Sequence, residues 1–487
     1  MGIDFGFTGI PRYQDGIIKA DIHAGDNDKI SLTGMFGIAD IHEAPADSLD
    51  VLDDEFDTRS GADFFIIALN WQHLFGERSY GKLTLGAVNS VYRNNEDSVY
   101  FLNNGLYNIP YLRSESYEGY YSAKYSFNYS PNSQHFFTAG VEERYRFYDI
   151  YNEDVNPNEP DPSYVKADGN ANQLLSYINW NWRIFETFTT NIGVFAQYLG
   201  ISDKTSIEPR FAASWKFMPL HNLTFGIGVH RQSLPLITYF SAEENKKLDF
   251  MQALHYVLGY SYQIREDALV KVETYYKDLS NIPVDKTELN YWSFINAGAN
   301  FGVIGGAGDE LISTGTGRTY GVDFSLFKNF SNNYYTTITG SYIRQQYKGS
   351  DDIMRFGAFD NIFVANFLSG YEWILSPVFS IDFSGKYTIA GGTPYIPIDL
   401  EASIASGEKQ WDKKNAFTKR KPNYSRFDVK VDVRYNFDNC SLIAFLSLEN
   451  VLDTENVYKY KYNKIEKAIE VSDQLGLFVL GGVRVEF

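Results

Sequence analysis

The stretch Tyr424-Ser-Arg-Phe-Asp-Val-Lys-Val-Asp-Val-Arg-Tyr-Asn-Phe437 decides the fold class. Phe427, Val429, Val431, Val433, Tyr435 and Phe437 alternate with Asp428, Lys430, Asp432, Arg434 and Asn436. That period of two puts one set on each face of a β-strand. One face is greasy and the other wet. Outward from it the pattern repeats. Phe379, Ile381, Phe383, Tyr387 and Ile389 oppose Ser380, Asp382, Ser384, Lys386 and Thr388. Tyr320, Val322, Phe324 and Leu326 oppose Thr319, Asp323 and Ser325, and Val270, Val272 and Tyr276 oppose Lys271, Glu273 and Lys277. Helical periodicity is almost absent. The amphipathic runs reach about ten to thirteen residues, longer than usual soluble strands and matched to a tilted strand crossing a bilayer.

Composition agrees. Of 487 residues 17% are aromatic, with Tyr 37, Phe 37 and Trp 7, while mean hydropathy is negative. So many rings in a chain polar on average belong on a non-aqueous surface. No run of about 18–20 apolar residues is present, which excludes spanning helices. The predicted fold is therefore all-β, a transmembrane antiparallel barrel. Its backbone groups pair with one another and its apolar face turns to lipid. A large soluble β-protein is the competing architecture.

The formal charge of −18 has the wrong sign for a nucleic-acid surface. The single Cys440 forms no internal disulfide, and no Cys/His spacing suits a structural metal. No cofactor is expected. His42-Glu43 lacks the second His of a zinc helix, and neither a nucleophile elbow nor a phosphate loop occurs, so no enzyme is expected. The chain opens without a secretory signal pattern. The glycine-rich segment Gly302–Gly317 reads as an external loop. The acidic runs Glu43, Asp47, Asp50, Asp53, Asp54, Glu55, Asp57 and Asp149, Glu153, Asp154, Glu159, Asp161 lack calcium-loop order and read as solvated. The basic run Lys409, Lys413, Lys414, Lys419, Arg420, Lys421 reads as solvated too, with an anionic ligand or lipopolysaccharide as the alternative.

Short turns are predicted at 25–28, 131–134, 219–222, 331–333 and 438–440, and long connections near 40–60, 94–112, 152–171, 232–250, 279–316, 346–362, 390–423 and 450–472. Such barrels place short turns in the periplasm and long loops outside. About nineteen strands are counted, from 13–22 to 475–487, with the first and last pointing the same way. Single-chain bacterial barrels usually have an even count, so strands are expected upstream.

Five segments resemble TonB-dependent receptors of Bacteroidetes-type bacteria: Ile207-Glu-Pro-Arg210; Gly228-Val-His-Arg-Gln232 leading to Tyr239-Phe240; Gly315-Thr-Gly-Arg-Thr-Tyr-Gly-Val322; Gly391-Gly-Thr-Pro-Tyr-Ile-Pro-Ile-Asp399; and Glu449-Asn-Val-Leu-Asp453 with Asn456-Val457. They lie within residues 200–487; the first 200 match more loosely, through strand lengths and Pro11-Arg-Tyr-Gln-Asp15. The resemblance implies a 22-stranded barrel holding an N-terminal plug. This chain then reads as its C-terminal portion, residues 1–487, with the plug and three strands absent, as a fragment or the product of a truncated or internally started gene. It implies energised uptake, in the cell outer membrane of a Gram-negative, Bacteroidetes-like cell, of a scarce ligand such as a siderophore, cobalamin or glycan. The TonB complex would act through the missing plug, and a surface lipoprotein is a further expected partner. A passive porin-like channel and a barrel enzyme with a rim active site are the alternatives. No ligand contact transfers by motif. The loop aromatics Trp292, Phe294 and Trp411 are candidate ligand-binding residues, weighed against packing or girdle roles. Val483, Val485 and the terminal Phe487 resemble the assembly signal read by the barrel assembly machinery, with outer-membrane lipid around them.

Overall fold

A computed structural model describes residues 11–43, 56–102, 105–155, 163–298 and 310–487. Among these residues the main sheet has twenty strands. One of them, Met354–Phe356, is a three-residue addition beside Tyr334–Lys348. The other nineteen form a continuous antiparallel meander from Arg12–His23 to Phe478–Glu486, in which neighbours in sequence are neighbours in space. The expected count of about nineteen and the predicted short turns are met. Among the described residues no helix is long and apolar enough to cross a membrane. Among the described residues no ladder joins Arg12–His23 to Phe478–Glu486. On the first of these strands Tyr13 and Ile17 on one face and Ile18 on the other are all at least 66% exposed.

Register keeps like with like. Phe383 lies opposite Val431 and Ile381 opposite Val433, whereas Asp382 lies opposite Asp432 and Lys386 opposite Asp428. The apolar set of each strand thereby joins an unbroken outward surface, and the charged set lines the interior, the arrangement of a lipid-embedded barrel. At the short-turn rim this surface ends in rings. Trp180 stacks on Trp182 at 5.0 Å, His221 on Tyr262 at 4.4 Å, and Tyr435 meets Phe437 at 4.7 Å. Rings with an apolar body and a polar edge suit the headgroup level.

Several strands outrun the sequence reading. Phe56–Gly76, Ser79–Leu102, Gly105–Asn132, His135–Asp154 and Ser163–Phe185 have 20 to 28 residues. A bilayer needs about 9–11. Hence most of 94–112 and the described parts of 152–171, expected as loops, are paired strand. Gly315 and Gly317 likewise lie within Leu311–Ser331, while 302–309 fall outside the described residues. A Cβ on Gly315 would sit 2.6 Å from the Ile282 carbonyl oxygen, so only glycine admits that close ladder. The reason for the difference is visible on the outward face, where Arg93 pairs with Asp63 at 2.6 Å. Above that ion pair both faces meet water, alternation has no cause, and the period-two signal disappears.

The second half differs. Apart from the 21-residue Leu311–Ser331 its strands are shorter, and they are joined by loops with structure of their own. The helix Leu236–Phe240 and a 3-10 turn at Glu243–Lys247 occupy one connection. Leu400–Ser406 is capped by the Asp399 carboxylate, which accepts from the Ala402 N–H at 3.0 Å, and closed by Gly407 at φ 76°. The ribbon Val457–Asn463 with Ala468–Asp473 folds the last long connection into a hairpin.

Candidate functional site

The interior wall and the loops above it are the two places where polar groups gather. On the wall, Ile207 and Phe211 point outward and are exposed. Glu208 and Arg210 therefore point inward. Glu208 is 1% exposed and its carboxylate accepts from Gln197 Nε2 at 3.0 Å, Ser206 Oγ at 3.1 Å and Arg210 at 2.8 Å. Arg210 lies opposite Gly193 on one side and Gly228 on the other. The absent side chains leave room for its guanidinium over the Phe195 ring, at 5.4 Å. His230 and His255 lie beside it with their rings tilted and centroids 4.5 Å apart, and His255 is opposite Lys277. Two of the quoted sequence segments, Ile207–Arg210 and Gly228–Gln232, thus meet in one inward-facing cluster. Its cationic groups outnumber its single carboxylate, so it is built to hold charge. Among the described residues no three His, Cys, Asp or Glu side chains are placed to hold a metal ion.

Above the wall the loops pack into a cap. Leu199, Leu234, Tyr239, Leu248, Phe250, Ile282, Phe294 and Leu311 form one buried cluster. Tyr347, Ala358, Ala416 and Phe417 form a second, and Ile295 packs against both. Polar ties reinforce the join. The Tyr347 hydroxyl donates to the Tyr291 carbonyl at 2.8 Å, Asn296 Oδ1 accepts from the Ala358 N–H at 2.9 Å, and Asn245 Oδ1 accepts from the Leu311 N–H at 2.8 Å. A buried ion triad completes the cap. Asp360, fully buried, pairs with Arg344 at 3.2 Å and Arg420 at 2.7 Å, and both guanidiniums lie over Phe356, at 4.4 and 5.1 Å.

The sequence candidates separate. Phe294 is buried in the first cluster and Trp292 packs against it, so these two serve the cap interior. Trp411 is 43% exposed, bridges Ile398 through its backbone and carries the Lys409 ammonium over its ring at 5.1 Å. Arg420 of the basic run turns inward to Asp360. Lys421 donates to the Tyr458 carbonyl, and burial pushes its ammonium pKa down. In the acidic runs Asp57 pairs with His42 at 2.8 Å and Glu153 accepts from the Tyr151 hydroxyl at 2.7 Å. Asp47, Asp50, Asp53, Asp54, Glu55, Glu159 and Asp161 lie outside the described residues. Val483 and Val485 face outward, 69% and 46% exposed, and the Phe487 side chain is free. Sequence reasoning missed Asp360 and Arg344 altogether. Their partners are 16 to 60 positions apart, and no local spacing signals the triad.

The model of the TonB dependent receptor-like β-barrel family matches residues 20–451. A search of curated protein sequences finds no match. Solved structures give the same fold. The ferric preacinetobactin receptor of Acinetobacter baumannii superposes with a TM-score of 0.69 at 10% identity, over 99% of this chain and 73% of that one. The outer-membrane transporter YddB of Escherichia coli gives 0.70 at 12%, over 97% and 68%. The ferric yersiniabactin uptake receptor of Yersinia pestis gives 0.69 at 12%, over 98% and 70%. Family and structural neighbours are receptors and transporters, not enzymes. With its long antiparallel meander, outward apolar face and charged interior, the chain belongs to the TonB-dependent receptor β-barrel family.

Proposed function

We propose that the chain forms the barrel of a receptor in the cell outer membrane of a Gram-negative, Bacteroidetes-like bacterium, and that the complete receptor takes up a scarce ligand by an energised route. The carrying observation is the union of a charged inner wall with a packed external cap. A passive pore gains nothing from ordering four connections around two buried clusters, whereas a receptor gains a preorganised recognition surface. The ligand is of the siderophore, cobalamin or glycan kind, and the ferric preacinetobactin and ferric yersiniabactin receptors among the structural neighbours favour a ferric siderophore. Trp411, exposed on the cap, is the proposed ligand contact; Trp292 and Phe294 support the cap from within. That no ladder joins Arg12–His23 to Phe478–Glu486 among the described residues supports reading the chain as the C-terminal portion of the barrel, with the remaining strands and the plug supplied from elsewhere. Val483, Val485 and Phe487, outward and exposed, suit strand addition by the barrel assembly machinery. The TonB complex acts through the plug, and a surface lipoprotein is proposed to sit on the cap.

The test is growth of receptor-deleted cells with a panel of ferric siderophores as the iron source. Residues 1–487 alone are expected to give no growth. A plug-bearing receptor carrying this barrel is expected to restore growth on one of the panel, and loss of TonB to abolish it. TonB-independent growth from residues 1–487 would replace this reading with a passive porin.

A further inference from the structure

The interior wall carries a second polar site, at the short-turn end of the first four strands and separate from the cluster around Glu208. Lys19, Lys29, Thr33, Gln72 and Lys82 line an open recess of about 290 Å³. Register explains why they converge. Lys29 lies opposite Gln72, and Gln72 opposite Lys82, so the two lysines stand in one cross-strand row with the amide between them. Lys19 lies opposite Thr33 on the same face. Strands are about 4.8 Å apart, so the stems of Lys29 and Lys82 start about 10 Å from each other, and their flexible ends can close on one guest.

Charge is unbalanced here, in a chain whose net charge is −18. The nearest carboxylate, Asp21, is shared by Lys19 at 3.5 Å and Lys29 at 3.7 Å. The side chains of Lys82, Gln72 and Thr33 make no hydrogen bond or ion pair among the described residues. Two ammonium groups thus share one carboxylate and a third, that of Lys82, is paired with none, next to neutral groups with unused donors. A like-charged set inside a barrel is stabilised by a guest bearing several oxygens of opposite charge, which recruits the ammoniums and the amide together.

We propose that this recess binds an oxyanion inside the lumen, a carboxylate or phosphate group held between Lys29 and Lys82 with Lys19 as the third cation. The inference stands on the orientation of the sheet and not on the transport reading. The test uses residues 1–487 refolded in detergent micelles, with a fluorescein-labelled hexaglutamate peptide followed by anisotropy. Lys29→Gln with Lys82→Gln is expected to weaken binding about tenfold, the product of two charge contacts. Lys413→Gln with Lys414→Gln, on the external loop, is expected to change it less than about twofold. Displacement of the peptide by millimolar inorganic phosphate assigns a small oxyanion as guest; resistance to phosphate assigns an extended acidic segment. Folding is verified by heat-modifiable migration. Should the double variant not fold, Lys82→Gln alone, which breaks no internal contact, is expected to weaken binding about threefold. Equal binding by wild type and the lumen variant, or equal loss in the external-loop variant, would overturn the proposal.

Discussion

The two halves of the barrel rise above the membrane by different means. From Phe56 to Phe185 the strands themselves continue upward, reaching 28 residues in Gly105–Asn132. From Leu234 to Phe417 the strands stop earlier, the 21-residue Leu311–Ser331 excepted, and the connections fold into two buried clusters joined at Ile295. A ladder satisfies its backbone groups by pairing, so extended hairpins stand in water without a large apolar core. An irregular loop has no ladder and becomes ordered only by burying side chains and pairing its polar groups. Where the walls are tall the sequence above the bilayer is polar, as at the Arg93–Asp63 pair; where they are short, the cap carries Tyr239, Phe250, Phe294, Tyr347 and Phe417. Order is spread along the hairpins in one half and concentrated at a few positions in the other.

The contrast breaks most readily at Asp360. Asp360→Ala would leave Arg344 and Arg420 facing each other without their buried partner, a loss of about 3–5 kcal/mol. The expected readout is hydrogen exchange in 349–361 and 391–423 accelerated on the order of a hundredfold or more, with the ladders of the first half unchanged. Unchanged exchange in the cap would show that the triad does not hold it. Phe294→Ala empties part of the first cluster at a cost of about 3–5 kcal/mol if the site cannot collapse, and less if it can. Limited proteolysis should then cut within 286–298, whereas Tyr164→Ala, on the exposed face of a tall hairpin, should stay within about 0.5 kcal/mol of wild type.

Val431→Arg tests what both halves share, the outward apolar band. A charge at the lipid midplane costs about 2–4 kcal/mol, so folding yield in lipid vesicles should fall well below that of Asp432→Arg on the interior face. Equal yields would reverse the assignment of faces. Asp63→Ala removes an ion pair whose members are 30% and 39% exposed, and should cost no more than about 1 kcal/mol. A loss as large as that of Asp360→Ala would erase the difference between the halves.

The smallest expected effect lies in the turn at Glu266–Asp267. The Lys328 ammonium and the Ser331 hydroxyl, bonded to Asp267, lower its carboxyl pKa to about 2 from an ordinary 3.8. A pKa depressed on folding stabilises the turn above pH 3.8, and that contribution is lost as pH falls from 3.8 to about 2. Amide exchange at Asn329 and Ser331 should rise across that window in wild type but show no such step in Asp267→Asn.

Legibility followed the solvent. Inside the bilayer each strand has one face in lipid and one in a polar lumen, so Val429, Val431 and Val433 announced both strand and orientation, and Pro219, Asn332, Asn333 and Asp438 announced the short turns. Above the bilayer the tall hairpins face water on both sides, and the described residues of 94–112 read as loop although they are paired. Phe294 and Trp292 were singled out as loop aromatics, but whether such a ring meets a ligand or a neighbouring loop is set by which loop lies beside it. Phe294 went inside and Trp411 stayed exposed.

The sequence by itself determined the all-β class, the nineteen-strand meander, the faces of its strands and the shared direction of its two end strands, because a two-residue period and tight-turn chemistry are local properties. Only the tertiary structure decided that Glu208, Arg210, His230 and His255 share one patch of wall, that Asp360 joins Arg344 to Arg420, and that Lys19, Lys29 and Lys82 surround one recess. Those meetings depend on cross-strand register and on loops packed across long sequence separations. A charge in the chain carries no mark of the partner that register will bring to it.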